Sequence, residues 1–139
     1  MPQSERSKAE EIDFEAMLSS VNLLYLGGTV LVLLDRDYMK RFWTSAEAWL
    51  STRTCTPTGL QPAENPEDRC KIVLLPGTPR ESKGALLDTW AGKTIEEACE
   101  VLRMDEVKVT NKGDKHRLLS KLVTLHETIQ GACLPYWSP

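Results

Sequence analysis

The stretch TVLVLLDRDYMKRFWTSAEAWL, residues 29–50, decides the fold. Its first six residues, Thr29 to Leu34, form an unbroken apolar run of strand length, the pattern of a strand buried on both faces. Such strands belong to parallel sheets. From Met39 onward the positions Phe42, Trp43, Ala46, Trp49 and Leu50 recur at three- and four-residue steps, which predicts a helix with one buried face that includes Trp43 and Leu50. Asp35 or Asp37 stands where a carboxylate can accept a bond from the free N–H groups of that helix's first turn. A strand followed by a helix needs a second strand to return to, and Lys71 to Leu75 (KIVLL), closed by Pro76 and Gly77, supplies it.

Working outward, the apolar positions Met17, Leu18, Val21, Leu24 and Tyr25 predict a first helix from Phe14 to about Tyr25, stopped by Gly27 and Gly28. Residues 52–69 are rich in Pro, Thr and Asn without periodicity, and read as a long surface loop. After a turn-like GTPRESKG, ALLDTWAG reads as a short helix. Thr94 and Glu97 form an S/T-x-x-E capping box ahead of Ile95, Ala98 and Leu102, which predicts a helix over 94–104. A short strand is expected at Val107 to Thr110. Asn111 or Asp114 then caps a last helix carrying Leu118, Leu122, Leu125 and Ile129 on one face, with Gly131 as its stop.

This order alternates helix and strand, and crossovers of that kind build parallel sheets flanked by helices. The expected architecture is a single α/β domain over residues 1–139, with a small, mainly parallel sheet of three or more strands. Residues 1–8 are expected to be disordered and 132–139 to form an irregular tail. A chain of 139 residues suits one hydrophobic core.

Composition removes several function classes. A formal net charge of -3 gives no global positive field for a polyphosphate backbone, so nucleic acid is not expected as a partner. No apolar run approaches the roughly 18 residues that span a bilayer, and the charged start has no secretory h-region, so membrane insertion is not expected and a cytoplasmic location is. Cys55, Cys70, Cys99 and Cys133 are irregularly spaced without a CxxC pair, and His116 and His126 are too far apart for one helical metal pair. Reduced thiols and no metal site are the reading. LGGT and GTPRESKG lack the further glycines of phosphate-binding loops, and no G-x-S-x-G elbow occurs. The basic cluster Lys108, Lys112, Lys115, His116, Arg117 and Lys121 reads as a solvated helix start, with an anionic partner as the alternative.

In an open parallel sheet, functional groups gather where strands end and helices begin. Asp35 stands at that edge. Glu47 falls about 40° round the helix from Trp43, at the border of the apolar stripe, where partial desolvation would raise its pKa and suit it to carrying a proton. The residues alone leave a second reading open, in which Glu47 pairs with Lys40, Arg41 or Arg53 on a solvated face.

The run from the strand TVLVLL through Tyr38, Arg41, Phe42, Trp43 and Glu47, followed by the strand CKIVLLPGT, resembles the region around the catalytic helix of TIR-type (Toll/interleukin receptor) signalling domains. Heterokaryon-incompatibility proteins carry a similar Tyr, Arg, Trp and Glu run. The resemblance covers residues 29–77, the second half of such a domain. It implies a partial TIR or flavodoxin-like fold, with Glu47 as catalytic carboxylate, Asp35, Tyr38 and Trp43 as ligand-binding residues, and NAD as substrate. The chain departs from the pattern in having Asp35 for the usual Ser and Thr44 for the usual Cys. The first strand, its loop and the second strand, which line the nucleotide pocket in enzymatic members, have no counterpart before Thr29.

The expectation is therefore a TIR-like protein interaction or signalling module without independent catalysis and without a bound cofactor, which self-associates or binds a protein partner. Two alternatives stand beside it. One is an NAD glycohydrolase or related nucleotide-cleaving enzyme using Glu47, and the other is a structural subunit of a larger assembly.

Overall fold

The computed structural model describes residues 7–133, without the side chains of residues 14, 15, 18, 19, 132 and 133. The chain is α/β, with helices α1 (Lys8–Gly27), α2 (Phe42–Ser51), α3 (Ser82–Trp90), α4 (Ile95–Arg103) and α5 (Lys112–Cys133). Its strands are β1 (Val30–Leu34), β2 (Arg53–Thr56), β3 (Gly59–Pro62) and β4 (Cys70–Leu74). The disorder expected over 1–8 lies outside the described residues up to residue 6, and Lys8 already belongs to α1. The irregular tail is likewise outside them from residue 134, whereas α5 runs through residues 132–133 and through Gly131, where a stop was expected.

The parallel pair foreseen from residues 29–75 is present, with β1 beside β4 in the register Val30↔Cys70 through Leu34↔Leu74. It is the whole of that sheet among the described residues. The expected third strand contributes one bridge, Lys108 to Arg41. Its backbone bonds go to the turn after β1, with Lys108 N–H to Lys40 O at 2.6 Å and Phe42 N–H to Lys108 O at 2.9 Å. Lys115 Nζ fastens this segment as a turn, donating to Met104 O at 2.8 Å and Val107 O at 3.0 Å.

β1 is not buried on both faces. Val32 and Leu34 enter the core, while Leu31 and Leu33 remain 62% and 50% exposed and Val73 of β4 48%. The apolar run hid this alternation, because every position is apolar whichever way it points. α1 shows a similar surplus: Asn22 and Leu26 are buried and Tyr25 half-buried, whereas Met17 and Leu24 of the predicted stripe face solvent.

Residues 52–69 form more than a surface loop. β2 and β3 pair antiparallel, from Arg53↔Pro62 to Thr56↔Gly59, and a 3-10 turn follows at Pro66–Asp68. Arg53 and Leu60 are buried. Two arginines tie this region to helix ends, where carbonyls lack intrahelical partners. Arg69 donates to Tyr25 O at 2.9 Å and Gly28 O at 3.1 Å at the end of α1, and Arg53 plugs the end of α3.

Capping chemistry sets two helix starts. Thr94 Oγ1 accepts the Glu97 N–H at 3.3 Å while the Glu97 carboxylate accepts the Thr94 N–H at 2.9 Å, as predicted for α4. Ser7 and Glu10 do the same for α1. At α2 the capping aspartates do not serve: a 3-10 turn, Tyr38–Lys40, precedes an extended Arg41 that makes no side-chain cap. The core gathers Phe42, Trp49, Leu50, Leu86, Trp90, Leu102 and Leu122 between the helices and the inner face of β1. Among the described residues no helix is long and apolar enough to cross a membrane.

Candidate functional site

Asp35, Tyr38, Trp43 and Glu47 all lie on or just before α2, but the fold turns them to different tasks. Both carboxylate oxygens of Asp35 accept from Arg41 Nη2 at 3.1 Å, and Oδ1 also accepts the Asp37 N–H at 3.0 Å. The carboxylate is spent on holding the turn between β1 and α2. Arg41 in turn lies 5.7 Å from the centre of the Tyr38 ring, a cation–π approach that covers the phenol. Tyr38 is buried, and its hydroxyl pKa is pushed above the ordinary 10, first by burial and then by the charge of Glu47.

Glu47 sits half-buried on the flank of α2 that faces α1. It accepts a hydrogen bond from the Tyr25 hydroxyl; burial raises its carboxyl above the usual 4.5, and that bond offsets part of the rise. Tyr25 itself is pushed up to about 12 by burial and then by Glu47. The cations that offered a solvated alternative are engaged elsewhere. Lys40 pairs with Asp37 at 2.9 Å, Arg41 with Asp35, and Arg53 with carbonyls at the end of α3. Glu47 is thus a desolvated carboxylate near two phenols, able to hold or release a proton closer to neutrality than a surface glutamate.

Trp43 corrects the expectation of burial. It is 41% exposed and meets Phe42 edge-on, with ring centres 5.9 Å apart. Trp49 takes the buried place, donating its indole N–H to Lys93 O at 3.2 Å. Trp43 looks instead across to α5, where it borders a pocket of about 90 Å³ with Asn22, Arg117 and Lys121. Beside it a groove of about 390 Å³ runs between α1 and α5. A further cleft of about 390 Å³ lies between α4 and α5 at Cys99, Arg103 and His126, and another opens at His116. Asp35, Tyr38 and Glu47 line none of these four spaces.

The structure therefore sets Glu47 near Tyr38 and Tyr25, links Asp35 to the Tyr38 ring through Arg41, and turns Trp43 toward α5. Sequence reasoning read Tyr25 as a core residue, although a buried phenol needs a partner for its hydroxyl and an acid one helix away can supply it. Asn22 was passed over, although a lone amide inside the apolar run VNLLYL was a visible signal. No group of three or more His, Cys, Asp or Glu side chains suited to a metal ion occurs among the described residues. The chain matches no protein-family model, no curated protein and no solved structure.

Proposed function

We propose that this chain is a TIR-like interaction module that associates through its open sheet and has no independent catalysis. The observation that carries this reading is the outer face of the β1–β4 pair, where Leu31, Leu33 and Val73 stand in solvent. Parallel sheets are ordinarily covered on both faces, and here neither the face nor the two outer edges has a partner among the described residues. Exposed apolar area beside unpaired strand edges favours association, with a second copy or with a protein partner. Sedimentation of the wild type and of Leu33→Lys at micromolar concentration is the test. Association that Leu33→Lys abolishes without lowering the thermal midpoint supports the reading, and a wild-type monomer across the accessible range overturns it.

The desolvated Glu47 favours a second reading, a nicotinamide dinucleotide hydrolase. It ranks lower because the carboxylate is bonded to Tyr25 and borders none of the four spaces above. Holding a substrate in line with a catalytic group can supply roughly 7 to 11 kcal/mol of a barrier, and none of the four spaces above would bring a substrate to Glu47. Nicotinamide release by the wild type that disappears in Glu47→Gln would reverse the ranking. Background release from both proteins upholds it.

A further inference from the structure

The junction of α1, α2 and α5 holds polar groups that the fold leaves without partners. Asn22 is only 7% exposed, yet among the described residues its side-chain amide forms no hydrogen bond. The amide borders the pocket and is not sealed from water, since among the described residues the buried side-chain nitrogen or oxygen left without a partner is Trp90 Nε1. Arg117 and Lys121 of α5 border the same pocket, and among the described residues neither side chain forms an ion pair or a hydrogen bond. Asp114 also borders it and is likewise without an ion pair, so two cations face one carboxylate. Trp43 and Leu118 supply the apolar walls.

This small polar pocket adjoins the larger groove between α1 and α5, and Asn22 and Lys121 line both. The groove is lined otherwise by Leu23, Leu125 and three hydroxyl residues. Two of those hydroxyls are turned back onto their own helix, Thr124 to Ser120 O at 3.0 Å and Thr128 to Thr124 O at 2.8 Å. What remains open to a ligand is mainly apolar. Spaces of roughly 300 to 1,000 Å³ with apolar walls and a few convergent polar groups are the usual form of small-molecule sites.

We infer that this junction binds an amphipathic oxyanion, a small molecule whose carboxylate or phosphate head sits among Asn22, Arg117 and Lys121 and whose apolar tail lies between α1 and α5. The head satisfies the amide of Asn22 and the two unpaired cations at once, through charge-assisted bonds. Asp114 offsets one of the two cations that line the pocket and leaves a net positive charge there for the head. The site does not include Leu31, Leu33 or Val73, so it stands apart from the docking face proposed above.

Dodecanoate and dodecyl phosphate, below their micelle-forming concentrations, are the probes. Acetate supplies the head without a tail, and dodecyltrimethylammonium the tail with the opposite charge. Binding is followed by calorimetry and by the emission of Trp43, isolated as the difference between wild type and Trp43→Phe. Dodecanoate or dodecyl phosphate should bind at least about tenfold more tightly than acetate or the cation, and Lys121→Glu and Asn22→Leu should each weaken that binding by about tenfold or more. The tighter of the two anions identifies the head. Asn22→Leu should melt no lower than the wild type, since it removes no side-chain hydrogen bond among the described residues, which separates lost binding from lost folding. Leu33→Lys should leave binding unchanged, so this proposal and the docking face fail independently. Anions held no more tightly than acetate or the cation, or binding that Lys121→Glu leaves intact, would overturn the inference.

Discussion

The imidazole of His126 lies against the α-carbon of Gly59, so closely that a β-carbon there would come 2.5 Å from the ring. The same ring accepts the backbone N–H of Leu60 through Nδ1 at 3.1 Å. Gly59 also has a φ of 101°, a conformation that residues with a β-carbon rarely adopt. One glycine thus lets the β2–β3 hairpin turn and dock on α5.

Gly59→Ala should therefore lower stability by about 2 to 4 kcal/mol, combining backbone strain with the displaced histidine bond. Urea denaturation measures it. His126→Ala in the same background should recover the steric part and leave the strain, so the two substitutions will not add. An unchanged midpoint for Gly59→Ala would show that the hairpin is not seated on this ring.

A second expectation concerns Arg53, which is fully buried and in none of the ion pairs among the described residues. Its guanidinium donates to Lys93 O at 2.6 Å, to Trp90 O at 2.9 Å and to Ala91 O, taking up carbonyls at the end of α3. It also lies 5.2 Å from the Trp49 ring centre, and burial pulls its pKa from 12.5 to about 10. Arg53→Met leaves those carbonyls unpaired in the interior and should cost about 2 to 5 kcal/mol in urea unfolding. Arg53→Lys keeps the charge but not the fork, so it should rescue only part. Wild-type stability in either variant would contradict this role.

These two residues also explain why the hairpin was not legible in the sequence. TCTPTGLQP carries Pro, Thr and Gly at turn frequency, and its strands are four residues each, too short for alternation to register. Their order comes from His126 and Arg53, contacts made to helices more than 35 residues away. Local signals succeeded where the physics is local: the Thr94–Glu97 capping box, the helical spacing of α2 apart from the placement of Trp43, and the two strands that flank it. The sheet's size was misjudged because Val107 to Thr110 has strand-like composition, while its backbone partners are set by a turn distant in sequence. Of the site, the half-buried edge position of Glu47 could be read from helical spacing, but its bond to Tyr25 depends on how α1 crosses α2.

The phase of α2 yields a third test. Phe42, Ala46 and Trp49 mark the centre of its buried stripe, and Trp43 lies about 90° round the helix from that centre. Trp49→Ala should cost about 3 to 5 kcal/mol, as for a large buried aromatic. Trp43→Ala should cost less than about 1 kcal/mol, as for a surface substitution. Thermal melts of the two variants decide the matter, and a reversed order would return Trp43 to the core.

Glu47 gives the last expectation, because its environment fixes a sign. Below the unfolded value of 4.5 the carboxyl is protonated in both states and contributes no pH dependence. Between 4.5 and the raised folded value, the native state binds more protons than the unfolded chain, so stability falls as pH rises through that window. The deficit then persists at pH 7. Glu47→Gln removes the titration while keeping an oxygen that can accept from Tyr25. Its melting temperature should exceed that of the wild type at pH 7, with the gap closing as the pH drops below 4.5. Asp37 and Glu67, held low by the bonds from Lys40 and Lys83, titrate alike in both proteins and cancel in the difference. A glutamine variant less stable than the wild type at neutral pH would show that the carboxylate is held for structure. A more stable one would show that burial of the ionised carboxylate opposes folding at neutral pH, as the raised pKa implies.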